Sequence, residues 1–181
     1  MGHRGFGFDL GPVPVARLQE AAARQRLDCT ARVGDLRSWA EGRWSMGPHG
    51  SFSLVLCSFG TLGSLPGGEA LLARCAQALA PGGWLLLDTG LSRPFAAELD
   101  GRQEWWTGED FVLGAGPQLV LDDHSFDEAS STYVRRSFAL HLAPPPRVAE
   151  VRQTSRLYAP EELVALLDGV GPVSYTHLTL P

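Results

Sequence analysis

Three aspartates, Asp9, Asp35 and Asp88, each stand at the end of a short apolar run or just past it. A carboxylate placed there can accept a pair of hydrogen bonds from a ribose diol. A second acid one strand further can accept from the amino group of an adenine. The same residue after a strand also serves as a turn former or helix cap, so the acids alone leave both roles open. A fourth apolar run, Phe52 to Cys57, ends instead in Ser58-Phe59-Gly60, small or apolar groups that leave room beside the acids. Together these residues outline a nucleoside-shaped site beyond the carboxyl ends of parallel strands, where doubly wound sheets bind their ligands. Further along, Trp106, His124, Tyr133 and Tyr158 are candidates for contact with a small substrate: the His and Tyr groups to orient a nucleophile, Trp105-Trp106 to form an aromatic wall. A His or Tyr on a wet strand face is also an ordinary surface residue. Glu161 and Glu162 are read as helix-start acids rather than an acid/base pair, and no residue is assigned a catalytic role.

The elements that must hold these residues follow from periodicity. Phe6 to Leu10 is a short strand stopped by Gly11-Pro12, and Val13 to Arg26 has Val15, Leu18 and Ala22 at helical spacing. Cys29 to Val33 reads as a strand, and Trp39 to Ser51 as a loop or ragged helix with exposed aromatics. Phe52 to Cys57 and Trp84 to Leu87 are nearly continuous apolar runs, the pattern of strands buried on both faces. Between them Glu69 to Leu79 is an amphipathic helix closed by Pro81-Gly82-Gly83. Buried strands alternating with helices predict a parallel α/β sheet. The second half changes character: Gln118 to Phe126, Thr132 to Leu142 and Val148 to Leu157 alternate, predicting an antiparallel meander with one wet face. Pro160 then opens a last helix.

Composition narrows the function. The chain has 181 residues and 44% hydrophobic content, enough for a folded core. A net charge of -5 argues against a nucleic-acid partner, because neutralising phosphates requires a basic face. No apolar run is long enough to span a membrane, and no signal peptide is read at the start. Cys29, Cys57 and Cys75 make neither a CxxC pair nor a metal set, which fits reduced thiols in a cytoplasm. All 15 basic residues are arginine, as a GC-rich bacterial coding bias would give, so no single Arg is read as chosen for its guanidinium.

Five segments in order resemble the class I, Rossmann-like S-adenosylmethionine-dependent methyltransferases. They are Gly7-Phe8-Asp9-Leu10-Gly11-Pro12, Gly34-Asp35-Leu36, Phe52 to Gly60, Leu79-Ala80-Pro81-Gly82-Gly83-Trp84-Leu85-Leu86-Leu87-Asp88, and Arg156-Leu157-Tyr158-Ala159-Pro160-Glu161-Glu162-Leu163. The resemblance implies S-adenosylmethionine as cofactor: Asp9, with Leu10 beside it, on the ribose hydroxyls, Asp35 on the adenine amino group, the Leu36 backbone at the ring, and Ser58 and Phe59 at the methionine end. It implies a small-molecule methyl acceptor. Ser53 departs from the family's acid in the fourth-strand motif, and the family's first strand and glycine loop have no counterpart before Phe6.

The expected fold is therefore an incomplete Rossmann-like parallel sheet, lacking the first strand and glycine loop, followed by an antiparallel meander and a C-terminal helix. Residues 1–172 would form one truncated domain: a Rossmann-like part over 6–91, an antiparallel substrate cap over 104–157, and a helix over 158–169. In the family's strand order the missing strand would lie between Phe6–Leu10 and Phe52–Cys57, leaving those two unpaired with each other. Residues 173–181 resemble a reading frame of a sequencing-transposase adapter and are set aside as a scar. The expected activity is that of a fragment of a small-molecule methyltransferase, impaired as it stands. The competing readings are an NAD(P)-dependent oxidoreductase fragment, since an acid after the second strand also suits that ribose, and a non-catalytic Rossmann-like binding domain.

Overall fold

The computed structural model describes residues 2–111 and 114–171. The segment read as a scar, 173–181, lies outside the described residues. The element order is β1 (Gly5–Asp9), α1 (Pro12–Gln25), β2 (Cys29–Val33), α2 (Leu36–Ala40), β3 (Phe52–Cys57), α3 (Gly68–Ala78), β4 (Leu79–Leu87), α4 (Arg93–Leu99), β5 (Gln103–Phe111), β6 (Gly114–Asp127), β7 (Thr132–His141), β8 (Arg147–Arg156) and α5 (Pro160–Gly169). Two compact units divide them. One holds the chain up to Leu56 together with Gly67–Leu86; the other holds Cys57–Pro66 and the chain from Leu87 onward.

In the first unit β1 and β2 pair in parallel, Gly5 opposite Cys29 through Asp9 opposite Val33. The connecting helix α1 starts on Pro12, whose fixed φ suits a first turn, and ends where Arg26 turns left-handed and donates its N–H to Ala22 and Ala23. Helix α2 packs with α3, whose Leu71, Leu72, Cys75 and Ala78 are buried at helical spacing. Trp39, expected as an exposed aromatic in a loop or ragged helix, lies in α2 but is buried at 3% exposure and packs 5.8 Å from the Phe8 ring. Strands β3 and β4 form a second two-stranded sheet, separate from β1–β2, so β1 and β3 do not pair, as expected. Strand β4 begins at Leu79, before the Pro-Gly-Gly that was expected to end the helix; Gly82 absorbs the irregularity at φ 76°.

The expectation that Phe52–Cys57 and Trp84–Leu87 are buried on both faces does not hold. Leu54 and Leu56 are 50% and 63% exposed, and Trp84 and Leu86 are 61% and 63% exposed. In β4 only alternate positions from Gly83 to Leu87 turn inward, and in β3 only Phe52, Val55 and Cys57 do. The apolar composition describes a strand made to be covered twice, whereas among the described residues one face has no cover.

The second unit is built on an antiparallel sheet of order β5-β6-β7-β8. Strand β5 and helix α4 were not separately anticipated. Helix α4 is capped by Ser92, whose hydroxyl accepts from the Phe95 N–H, and it buries Ala96 and Leu99 against Tyr133 and Leu157. The expected wet face takes an inverted form. The inward face is rich in polar groups, with Gln118, Asp122, His124, Ser137 and His141 buried around Val120 and Ala139, while Trp105, Leu121 and Val148 lie exposed on the other face. Gly63 lies so close to β8 that an added Cβ would sit 2.3 Å from the Arg156 carbonyl oxygen, and its own carbonyl accepts from the Arg156 N–H at 2.8 Å.

Candidate functional site

In the second unit a cavity of about 420 Å³ opens between the loop after β3, the loop after β4, helix α4 and the inner face of the meander. Its size is that of a small-molecule site. A second hollow, beside Trp39 and Arg74 in the first unit, holds only about 10 Å³, room for one water.

Asp88 shapes one rim. Its carboxylate accepts from the Phe59 N–H at 3.2 Å and from the Gly90 N–H at 2.5 Å, tying the two loops together. Gly60 and Gly90 are both left-handed, and their backbones nearly touch: a Cβ on Gly60 would lie 3.2 Å from the Thr89 carbonyl. Phe59 is also left-handed, at φ 59°, with its ring 90% exposed. A non-glycine residue in that region stores backbone strain. Just beneath, burial pushes the Cys57 thiol up, with the Asp88 charge adding to it, so that thiol is inert at neutral pH.

The polar wall comes from the meander. His124 is 6% exposed, and its Nδ1 meets the Tyr133 hydroxyl at 2.6 Å. Burial raises the Tyr133 phenol, which keeps its proton. The other ring nitrogen, Nε2, is 3.9 Å from a Glu104 carboxylate oxygen. A bare lone pair there would face a carboxylate. The consistent arrangement has Tyr133 O–H donating to Nδ1 and the hydrogen on Nε2. His124 and Tyr133 are thus not surface residues of a wet face; both are buried and line the cavity together. Phe59 lines it too, whereas Ser58, Trp106 and Tyr158 do not. Trp106 donates its Nε1–H to Asp122 at 2.8 Å, and Tyr158 is buried under the Arg156 guanidinium. Glu104, Arg102 and Arg135 line the cavity without having been singled out in the sequence.

The remaining sequence candidates belong to the first unit. Asp9 and Asp35 follow the ends of the paired strands β1 and β2, both exposed. Asp9 accepts from the Gly11 N–H at 2.7 Å. Asp35 caps α2, accepting from the Ser38 hydroxyl and the Arg37 N–H, which hold its carboxyl below the ordinary value. Each acid therefore does the local work of a turn or cap while its carboxylate stays open to solvent. Exposed acceptors on adjacent strand ends suit a ribose diol and an adenine amino group, so these residues fit the cofactor that the resemblance implies. Among the described residues no cluster of metal-ligating side chains occurs, and no helix is long and apolar enough to cross a membrane.

The α/β fold is shared with solved structures of S-adenosylmethionine-dependent methyltransferases. Similar folds include that of a S-adenosylmethionine-dependent methyltransferase from Clostridium acetobutylicum, with a TM-score of 0.72 at 11% identity over 93% of this chain and 63% of that one. The sugar N-methyltransferase KedS8 from Streptoalloteichus sp. matches with a TM-score of 0.67 at 18% identity, over 94% of this chain and 72% of its own. The CcbJ methyltransferase from Streptomyces caelestis matches with a TM-score of 0.64 at 18% identity, over 93% and 67%. The chain thus spans 63% of the length of the first of these structures. No protein-family model and no curated protein sequence matches it.

Proposed function

We propose that this chain is part of a S-adenosylmethionine-dependent methyltransferase acting on a small, soluble acceptor, in a bacterial cytoplasm. The observation that carries the reading is the cavity of about 420 Å³, where apolar Phe59, Leu91, Phe95 and Leu157 face the polar Glu104, His124 and Tyr133. The methyltransferase fold and the sugar substrate of one relative support it. The cofactor supplies an already activated methyl group, so rate comes chiefly from holding the acceptor in line. In this chain the apolar side chains exclude water, and the locked His124–Tyr133 pair gives the acceptor a fixed wall to register against. Asp9 and Leu10, Asp35 and Leu36, and Ser58 and Phe59 keep the cofactor roles that the resemblance assigns.

The separate β1–β2 and β3–β4 sheets, with the apolar face over Leu54, Leu56, Trp84 and Leu86, support a longer parent protein that supplies the family's first strand and glycine loop. Calorimetry with S-adenosylmethionine tests both parts. The 181-residue chain should bind weakly, and the chain extended by the codons preceding Met1 in its gene should bind at micromolar concentration. Asp9→Ala in the extended protein should then cost about 1–3 kcal/mol. Micromolar binding by the 181-residue chain overturns the impairment, and no binding by either protein overturns the methyltransferase reading.

A further inference from the structure

The polar wall of the cavity has an order that the proposed methyl transfer does not use. Strand register places Arg135 directly opposite His124 on one side and Gln153 on the other. On the far side of His124, the Arg102 carbonyl accepts the His124 N–H, and Arg102 stands next in the same row, one residue before the Gln103–Asp123 pair. Arg102, His124, Arg135 and Gln153 therefore form a cross-strand row of neighbours on one sheet face, and all four line the cavity.

Within that row Arg135 Nε makes no hydrogen bond. Its nearest anion is Asp122, whose Oδ1 lies 4.0 Å from Arg135 Nε, too far for a hydrogen bond. Asp122 is itself buried at 6% exposure and already engaged by neutral donors, Trp106 Nε1 on one oxygen and the Ser137 hydroxyl on the other. Arg135 Nε is buried with no hydrogen-bond partner, while the side chain as a whole is 35% exposed. A partly exposed guanidinium that lines the cavity, beside a buried carboxylate already accepting two hydrogen bonds, is free to turn its planar fork to a planar or tetrahedral anion.

We infer that Arg135, with Arg102 beside it in the row, anchors an anionic group of the methyl acceptor, a carboxylate or a phosphate. This rests on the reading of the cavity as the acceptor site. Three probes that share one apolar ring separate the chemistry: phenyl phosphate, benzoate and neutral benzyl alcohol. They are titrated into the 181-residue chain while the Arg135 Nε–H resonance is followed by NMR. At least one anion should bind about ten- to a hundredfold more tightly than the alcohol, the usual worth of a hydrogen bond to a charged group. Which anion does so names the source. Arg135→Gln should remove that advantage and leave benzyl alcohol unaffected; Arg135→Lys, which keeps the charge but loses the fork, should fall between. Equal binding of anion and alcohol, an anion affinity unchanged in Arg135→Gln, or no binding by any probe overturns the assignment. The titrations contain no S-adenosylmethionine, so a failure here leaves cofactor binding untouched, and a failure of cofactor binding leaves this result standing.

Discussion

Gly63→Ala should destabilise the second unit strongly for a single methyl. The added Cβ would lie 2.3 Å from the Arg156 carbonyl oxygen, against a normal contact of 3.4 Å or more. Both partners are backbone, so no side chain can rotate away; β8 or the 57–66 segment must shift by close to 1 Å. That shift strains the hydrogen bond from Arg156 N–H to Gly63 and the neighbouring one from Leu157 N–H to Ser131, each 2.8 Å long. Overpacking costs about 1–3 kcal/mol and a weakened buried hydrogen bond about 1 kcal/mol more. The sum, about 3 kcal/mol, corresponds to roughly 6–12 °C in melting temperature for a chain of this size. Gly169→Ala is the control within the same unit. It sits at the end of α5 with nothing within 4 Å of an added Cβ, so alanine should be neutral or gain a few tenths of a kcal/mol. Thermal melts of the two variants by circular dichroism test the argument. A Gly63→Ala melt within about 2 °C of the parent would refute the contact on which it stands.

Two further outcomes follow from other contacts. The Glu162 carboxylate accepts from the Ala159 N–H and pairs with Arg93; the backbone bond first, then Arg93, hold its carboxyl below the ordinary glutamate value. A depressed folded-state value gives stability that is present above the unfolded value and lost as pH falls through the folded one. The melting difference between the parent and Glu162→Gln should therefore shrink as pH is lowered from about 6 to about 3, and stay below about 1 kcal/mol because the pair is partly exposed; a constant difference would count against it. On the uncovered face, Leu56→Lys with Leu86→Lys should leave the melt nearly unchanged while reducing self-association in light scattering.

The local pattern carried most of the fold. The bounds of β2 coincide with its alternating segment and those of β3 with its apolar run, and α1 and α5 lie where proline placement and periodicity put them. What it hid was partnership. Alternation shows that β6 and β7 have two faces, but with polar residues on both it cannot say which is covered; only the packing of α4 decides that, and it turned His124 and Tyr133 inward. Likewise, an apolar composition in β3 and β4 records what those strands are suited to pack against, not whether it is there. Arg135 was invisible for another reason: in a chain whose basic residues are all arginine, residue type carries no signal, and only its register beside His124 singles it out.

The two units are interleaved along the chain, and that bears on the order in which they can form. Segment Cys57–Pro66 belongs with residues from Leu87 onward, although Gly67–Leu86 between them belongs elsewhere. The Gly63–Arg156 contact joins positions about 90 residues apart, and closing a loop of that length costs about 4 kcal/mol in chain entropy. On a ribosome the early segment meets Asp88 and Gly90 first, but Gly63 must wait until β8 has emerged. The β1–α1–β2 part, whose contacts are short in sequence, is free to assemble first. Synthesis order and assembly order therefore diverge in this chain, and the cavity, whose rim comes from that early segment and whose wall comes from the last strands, cannot be completed until β8 is in place.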